Sequence, residues 1–189
     1  MNMMNKWLKD FIEEHIRVIS KIDKNTIVQL IKMVKTVRDK EKQIFVIGNG
    51  GDAACSSHLA VDLGKGASIN KKKRFKIFSP VDNIPWLTAL GNDLGYENIF
   101  VEQIENFCQK GDLLLVFSVS GSSPNIVKAV ERAKELGLKT AAVVGDRNGK
   151  LIDMVDLTIV VPSKHYGHVE DIQNIVCHII AYYFIENEP

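Results

Sequence analysis

Little in this 189-residue sequence is present in excess, and the shortages exclude several functions. Lysine and arginine number 24 against 23 aspartates and glutamates, a formal net charge of +1, so the broad positive field that draws a protein to polyanions is missing. Nucleic acid and anionic membrane are therefore poor readings. No apolar run approaches the ~18–20 residues that cross a bilayer, and residues 1–9 lack the apolar stretch and small-residue cleavage site of a secretory leader. The expected location is the cytoplasm. Cysteine is scarce: Cys55, Cys108 and Cys177 are odd in number, far apart and without C-x-x-C spacing, which argues for packed, reduced thiols against a disulfide framework or zinc knuckle. There is no internal repeat, no low-complexity stretch and no G-x-x-x-x-G-K-[ST] loop, because Gly64-Lys65-Gly66 has neither the spacing nor the hydroxyl.

What is present is a globular composition, 46% hydrophobic and 25% charged, with length enough for one domain, residues 1–189, around one sizeable core. In residues 1–40, Trp7, Leu8, Phe11, Ile12, His15, Ile16 and Ile19, then Ile27, Leu30, Ile31, Val34 and Val37, recur at three- and four-residue steps. That spacing predicts two amphipathic helices with a cap at Asn25-Thr26, whose stripes need covering by the rest of the chain or by another subunit. From Gln43 onward, apolar runs at 44–47, 75–78, 113–117, 140–144 and 157–161 alternate with helical segments near 53–63, 83–90, 98–108, 123–136 and 167–185, and a short turn near 150–154. Apolar strands between helices specify an α/β fold with a doubly wound, five-stranded parallel sheet. The basic run Lys71-Lys72-Lys73-Arg74, just ahead of a strand, reads as a solvated edge.

In such a sheet, ligands sit beyond the carboxyl ends of the strands, and two loops there are unusual. After the first strand, Gly48-Asn49-Gly50-Gly51-Asp52-Ala53 superficially matches a dinucleotide turn, but the next strand ends Phe78-Ser79-Pro80 with no acid for a ribose. No nucleotide cofactor is expected. After the third strand comes Ser118-Val119-Ser120-Gly121-Ser122-Ser123-Pro124-Asn125. Pro124 suits a first helical turn and Ser123 its cap, yet capping needs one serine and here there are four in six residues. Hydroxyls gathered at the positive end of a helix make a pocket for a phosphate monoester.

Taken together and in order, the Gly48-Asn49-Gly50-Gly51 turn, Gly91-Asn92-Asp93 followed by Gly95-Tyr96 and Phe100, the 118–123 loop and a last helix carrying His178 resemble the sugar-isomerase (SIS) domain family, in its phosphoheptose isomerase branch, over nearly the whole chain. The resemblance implies a SIS-type, flavodoxin-like sheet and interconversion of sedoheptulose 7-phosphate and D-glycero-D-manno-heptose 7-phosphate, early in making the heptose of lipopolysaccharide or another surface glycan. It also implies homotetramers with active sites between subunits. An enediol route needs a base over C1 and C2 and an acid for the oxygens; the matching positions are Asp62 as base and His178 as acid. Asn49, Gly50, Gly51, Asn92 and Asp93 match residues lining the sugar, and Ser118, Val119, Ser120 and Ser123 match the phosphate loop, with Asp62 and Glu170 also on the substrate. Some relatives hold zinc, one ion per subunit, and His58, Asp62, Glu170 and His178 are the matching ligands.

The chain departs from the family pattern at four of these places. Asp62 stands for a glutamate, which retracts the carboxylate by roughly one bond length. Glu170 stands for a glutamine and adds an anionic group, Val119 stands for a threonine and keeps only its amide, and Asp52 stands for a serine beside the phosphate. An anion at 52 repels phosphate unless it turns away or caps the helix. Outside the family, an aspartate on a helix face is ordinarily a surface residue and a histidine in an apolar stretch a core or interface one. Two alternatives remain open: a non-catalytic SIS module that binds phosphosugar or a protein partner, for which the pair Asp62 and His178 would have no use, and an isomerase of a different sugar phosphate.

Overall fold

Leu113, Leu114, Leu115, Val116 and Phe117 follow one another without a polar residue and all are fully buried, which a strand achieves only when its sheet is covered on both faces. The computed structural model, which describes residues 2–188, provides that cover. Helices α1 (Met3–Ser20) and α2 (Lys24–Asp39) lead into β1 (Gln43–Ile47), α3 (Gly51–Val61), β2 (Lys76–Phe78), α4 (Ile84–Leu94), α5 (Val101–Phe107), β3 (Leu113–Ser118), α6 (Pro124–Glu135), β4 (Lys139–Gly145), α7 (Leu151–Met154), β5 (Leu157–Val161) and α8 (Tyr166–Asn187). The five strands form one parallel sheet in the order β2-β1-β3-β4-β5. Alternate strand residues feed opposite cores: Ile44, Val46, Leu113, Leu115 and Phe117 pack with α2, α3 and α8, while Phe45, Ile47, Leu114 and Val116 pack with α5 and α6. The order reverses between β1 and β3, which are paired from Ile44↔Leu113 to Ile47↔Val116, and a crevice for ligands opens above such a reversal. Among the described residues no helix is long and apolar enough to cross a membrane.

The two leading helices have different fates. Helix α2 lays Ile27, Leu30, Val34 and Val37 into the core, and its cap is Asp23, whose carboxylate accepts the Asn25 amide at 2.8 Å, not the expected Asn25-Thr26. Helix α1 buries Val18 alone and leaves Trp7 62% and Ile16 60% exposed. It is fastened to α8 by the Phe11 ring stacked on His168, centroids 4.4 Å apart, and by His15 Nδ1 lying 3.2 Å from His168 Nδ1.

Three boundaries differ from the sequence expectation for physical reasons. The helix expected at 83–90 continues to Leu94, carrying Gly91-Asn92-Asp93 inside α4, because no residue leaves the helical region until Gly95 at φ 89°. The segment expected at 98–108 opens with a tight turn, Tyr96–Asn98, and becomes helical only at Val101. Helix α3 ends at Val61 and widens into a π-type turn, Asp62–Gly66, closed by the Ala67 amide donating to the Asp62 carbonyl at 2.8 Å. Such widened turns often lie at functional sites.

The packing of α2 is testable on one helix. Leu30 is 1% exposed and Val28 47% exposed; Leu30→Ala should cost about 2–5 kcal/mol of unfolding free energy in urea titrations, and Val28→Ala less than about 0.5 kcal/mol.

Candidate active site between α3 and α8

Helices α3 and α8 lie side by side and run in the same direction, so residues pair level by level. The Glu170 carboxylate rests on Gly51, Cys177 Sγ is 3.3 Å from Cys55 Sγ, His178 stands beside His58 and Asp62, and Ile185 touches the Cβ position of Gly66. The absence of a side chain at Gly51 gives the Glu170 carboxylate its place, since a Cβ there would lie 2.5 Å from Oε2 and push the glutamate aside. At the third level, His58 Nε2 is 3.3 Å and His178 Nε2 3.8 Å from Asp62 Oδ2, and the two imidazole nitrogens are 3.3 Å apart. Asp62 Oδ2 is buried and receives no hydrogen bond, whereas both imidazoles are exposed.

This trio has the shape of a metal site. Two ligand atoms at 2.0–2.1 Å from a tetrahedral zinc are about 3.3 Å from one another, close to the three separations seen, and an ion would satisfy the orphaned carboxylate oxygen. One side stays open to substrate. Glu170, implied as a fourth ligand, is not in this group. Eight residues of helix carry it about 12 Å along α8 from His178, to the level of Gly51.

The 118–123 loop turns most of its polarity inward. Ser118 Oγ accepts the Gly121 amide at 3.1 Å, Ser120 Oγ accepts the Ser122 amide at 3.2 Å, and Ser122 Oγ accepts the Lys150 amide at 3.1 Å. Ser123 occupies the cap position of α6 without a capping bond from its side chain; its hydroxyl instead lies 3.3 Å from that of Ser120. The loop closes tightly because Gly121, at φ 62°, backs onto Gly149, where any side chain would collide with the Ser120 carbonyl. Val119 is buried, and its amide donates to Asp52 Oδ2 at 3.1 Å. The hydrogen-bond donor expected to remain open at position 119 is therefore occupied.

Asp52 neither turns outward nor caps α3. It is 6% exposed, and its Oδ1 is buried without a partner. Burial pushes its carboxyl up to about 7, with the nearby Glu170 charge adding to the rise and the Val119 amide opposing it.

Asn49 organises the other wall of the crevice. It exchanges two hydrogen bonds with the buried Asn125, at 3.0 and 2.9 Å, and accepts one from the Tyr96 hydroxyl at 3.0 Å. Beside it is a cavity of about 390 Å³ lined by Asn49, Gly50, Ser57, Thr88, Gly91 and Tyr96 among others. Asn92 and Asp93 are exposed on α4, hydrogen-bonded to each other at 2.8 Å, and do not line this cavity.

Known proteins agree with this architecture. A model of the SIS domain matches residues 8–145. The chain belongs to the SIS domain family. A phosphoheptose isomerase of a Nitratiruptor species is 38% identical over 141 residues, 75% of each chain. A probable phosphoheptose isomerase of Thermoplasma volcanium is 33% identical over 181 residues, 94% of this chain and 92% of that one. The solved phosphoheptose isomerase of Francisella tularensis superposes with a TM-score of 0.87 at 25% identity, covering 97% of this chain and 98% of its own. Within the SIS family these relatives make the chain an aldose–ketose isomerase.

Tyr96 and Asn125 join this SIS site although neither was singled out as a site residue. Asn125 follows Pro124 in the first turn of α6, a position that would have flagged it; Tyr96 stands in the Gly95-Tyr96 motif of the resemblance, but its bond to Asn49 is set by the fold.

The titration of Asp52 affects folding. The native carboxyl keeps its proton up to about 7 while an ordinary one loses it near 3.8, so the native state loses stability from this group as pH rises through that window. Asp52→Asn should therefore be more stable than the parent at pH 8, by about 4 kcal/mol at the upper end, with the advantage vanishing towards pH 4; thermal unfolding across that range checks it.

Proposed function

We propose that the chain interconverts sedoheptulose 7-phosphate and D-glycero-D-manno-heptose 7-phosphate in the cytoplasm, supplying heptose to a surface glycan such as lipopolysaccharide. The whole chain, 1–189, would act as one SIS unit. The observation that carries this reading is the convergence of Asp62 and His178, with His58, at one level of the α3–α8 pair; the names of the relatives support the choice of sugar.

The phosphate would bind at the 118–123 loop, where the Ser120 and Ser123 hydroxyls, already 3.3 Å apart, can rotate onto it at the positive end of α6. Ser118 holds the loop's shape through the Gly121 amide, and Val119 and Glu170 border the phosphate end. Asn49, Gly50 and Gly51 would hold sugar hydroxyls, with Asn92 and Asp93 approaching from α4. His58 follows Gly51 by seven residues, about 10 Å along α3, a distance an extended heptose phosphate can span.

With the aldose bound, the Asp62 carboxylate takes the C2 proton, the electron pair forms the C1–C2 double bond, and His178 gives a proton to the carbonyl oxygen. His178 then removes the O2 proton as Asp62 returns its own to C1, leaving the ketose. A zinc ion held by His58, Asp62 and His178 would instead supply Lewis acidity towards the carbonyl in place of the His178 proton, since one ring nitrogen cannot hold both. Incubating the protein with sedoheptulose 7-phosphate in heavy water should show aldose by proton NMR with deuterium at C2. Asp62→Asn should lower kcat by roughly 100-fold or more with little change in KM.

We further propose a homotetramer with sites between subunits. Supporting it are the exposed stripe of α1 and the exposed apolar residues around the trio, Val61, Ile179 and Tyr182, which a neighbouring subunit would cover, keeping water from the enediol. Light scattering at micromolar concentration should report four chains; a stable monomer would overturn the arrangement.

A further inference from the structure

Asp52 has no part in the proton transfers just described, yet it is the buried acid closest to the phosphate loop. Its Oδ2 accepts the Val119 amide at 3.1 Å and its Oδ1 is buried with no partner. The groups facing it are few. Glu170 on α8 is the one charge, Gln173 on the same helix is neutral, and β3 and its loop present the Val119 amide. On α3 itself, Asp52 is the acid of the first turn and its carbonyl accepts the Ser56 hydroxyl at 2.8 Å.

We propose that Asp52 is a specificity-determining positioning residue: it withholds the Val119 amide from the ligand and places a carboxyl behind the 118–123 loop, and so sets the pH range over which that loop takes a phosphate monoester. The proposal rests on the reading of 118–123 as the phosphate site. Two consequences follow from the geometry. An amide in the middle of the loop, which in a bare strand-to-helix turn would face the anion, is turned to the protein interior. The carboxyl on its far side is neutral in acid and charged in base, and a buried negative charge next to Glu170 disfavours a second anion in the loop. Burial holds the changeover at about 7, inside the working range of a cytoplasmic protein. The monoester itself also titrates, with its second pKa near ~6, so the effect must be read as a ratio between variant and parent at each pH, in which the ligand's own titration cancels.

The test uses the full-length protein, calorimetric binding of sedoheptulose 7-phosphate and of inorganic phosphate at pH 6 and pH 8, and steady-state kinetics with the sugar. Asp52→Asn keeps an oxygen for the Val119 amide and removes the charge. It should bind within about twofold of the parent at pH 6 and about tenfold more tightly at pH 8, a tenfold change corresponding to one pKa unit of coupling, with KM following and kcat unchanged. Asp52→Ser is too short to hold the amide and should bind more tightly at both pH values; it also carries the test if the asparagine variant does not fold. A purely structural role would move the melting temperature and leave the affinity ratio the same at both pH values, and that result overturns the proposal. Ser120→Ala with Ser123→Ala separates the two levels. If this double variant binds as the parent does, the loop reading itself fails and the proposal with it; if it loses affinity while Asp52→Asn shows no pH-dependent gain, only the role of Asp52 fails.

Discussion

The close parallel contact of α3 with α8 is the constraint on which the site depends. A glycine faces Glu170 at the first level and another faces Ile185 at the fourth, a pair of thiols fills the second, and the third carries the two imidazoles and Asp62. The thiols serve as packing: Cys55 and Cys177 are free and buried, and burial drives the Cys177 thiol far from its reactive, ionised form. Because the levels are in register, one rigid contact fixes both ends of the site. It holds Glu170 over the start of α3 and brings two imidazoles onto one carboxylate further along.

The sheet supplies the second half. Reversal of strand order between β1 and β3 places the turn after β1 next to the loop after β3, and the side chains complete the junction. Asn49 reaches across to Asn125, and Asp52 reaches across to the Val119 amide. The first ties the turn ahead of α3 to the first turn of α6, and the second ties the first turn of α3 to the start of the loop after β3, so the serine loop is braced from the neighbouring strand. The Ser118 and Ser120 hydroxyls are engaged with the loop's own amides, and the phosphate proposed there would have to exchange those contacts for stronger, charge-assisted ones.

Strand β3 was plain in the sequence because burial on both faces leaves residues 113–117 without a polar member, and the other strands kept apolar runs despite the polar residues at their ends. The serine loop was legible for a similar reason, since its composition exceeds what capping requires. Legibility fails where the decisive partner is distant in sequence. Nothing near Asp52 announces the Val119 amide, and the resemblance that sets Glu170 among the zinc ligands takes no account of the helical rise between it and His178. The cap of α2 moved to Asp23 because any of several short polar residues could serve, and Asn92-Asp93 proved helical because Gly91 alone does not break α4.

The fastening of α1 depends on a proton. Two ring nitrogens 3.2 Å apart, His15 Nδ1 and His168 Nδ1, can share one hydrogen but cannot each carry one, so the tautomer of either ring dictates that of the other. His168 is held below the ordinary histidine value by burial and by His165 and His15, which keeps it neutral and able to accept. Apart from this contact and the Phe11 ring on His168, a helix with a single buried residue has little to hold it. The exposed apolar stripe of α1 is thus carried on a helix whose attachment depends on which of two rings holds one shared proton.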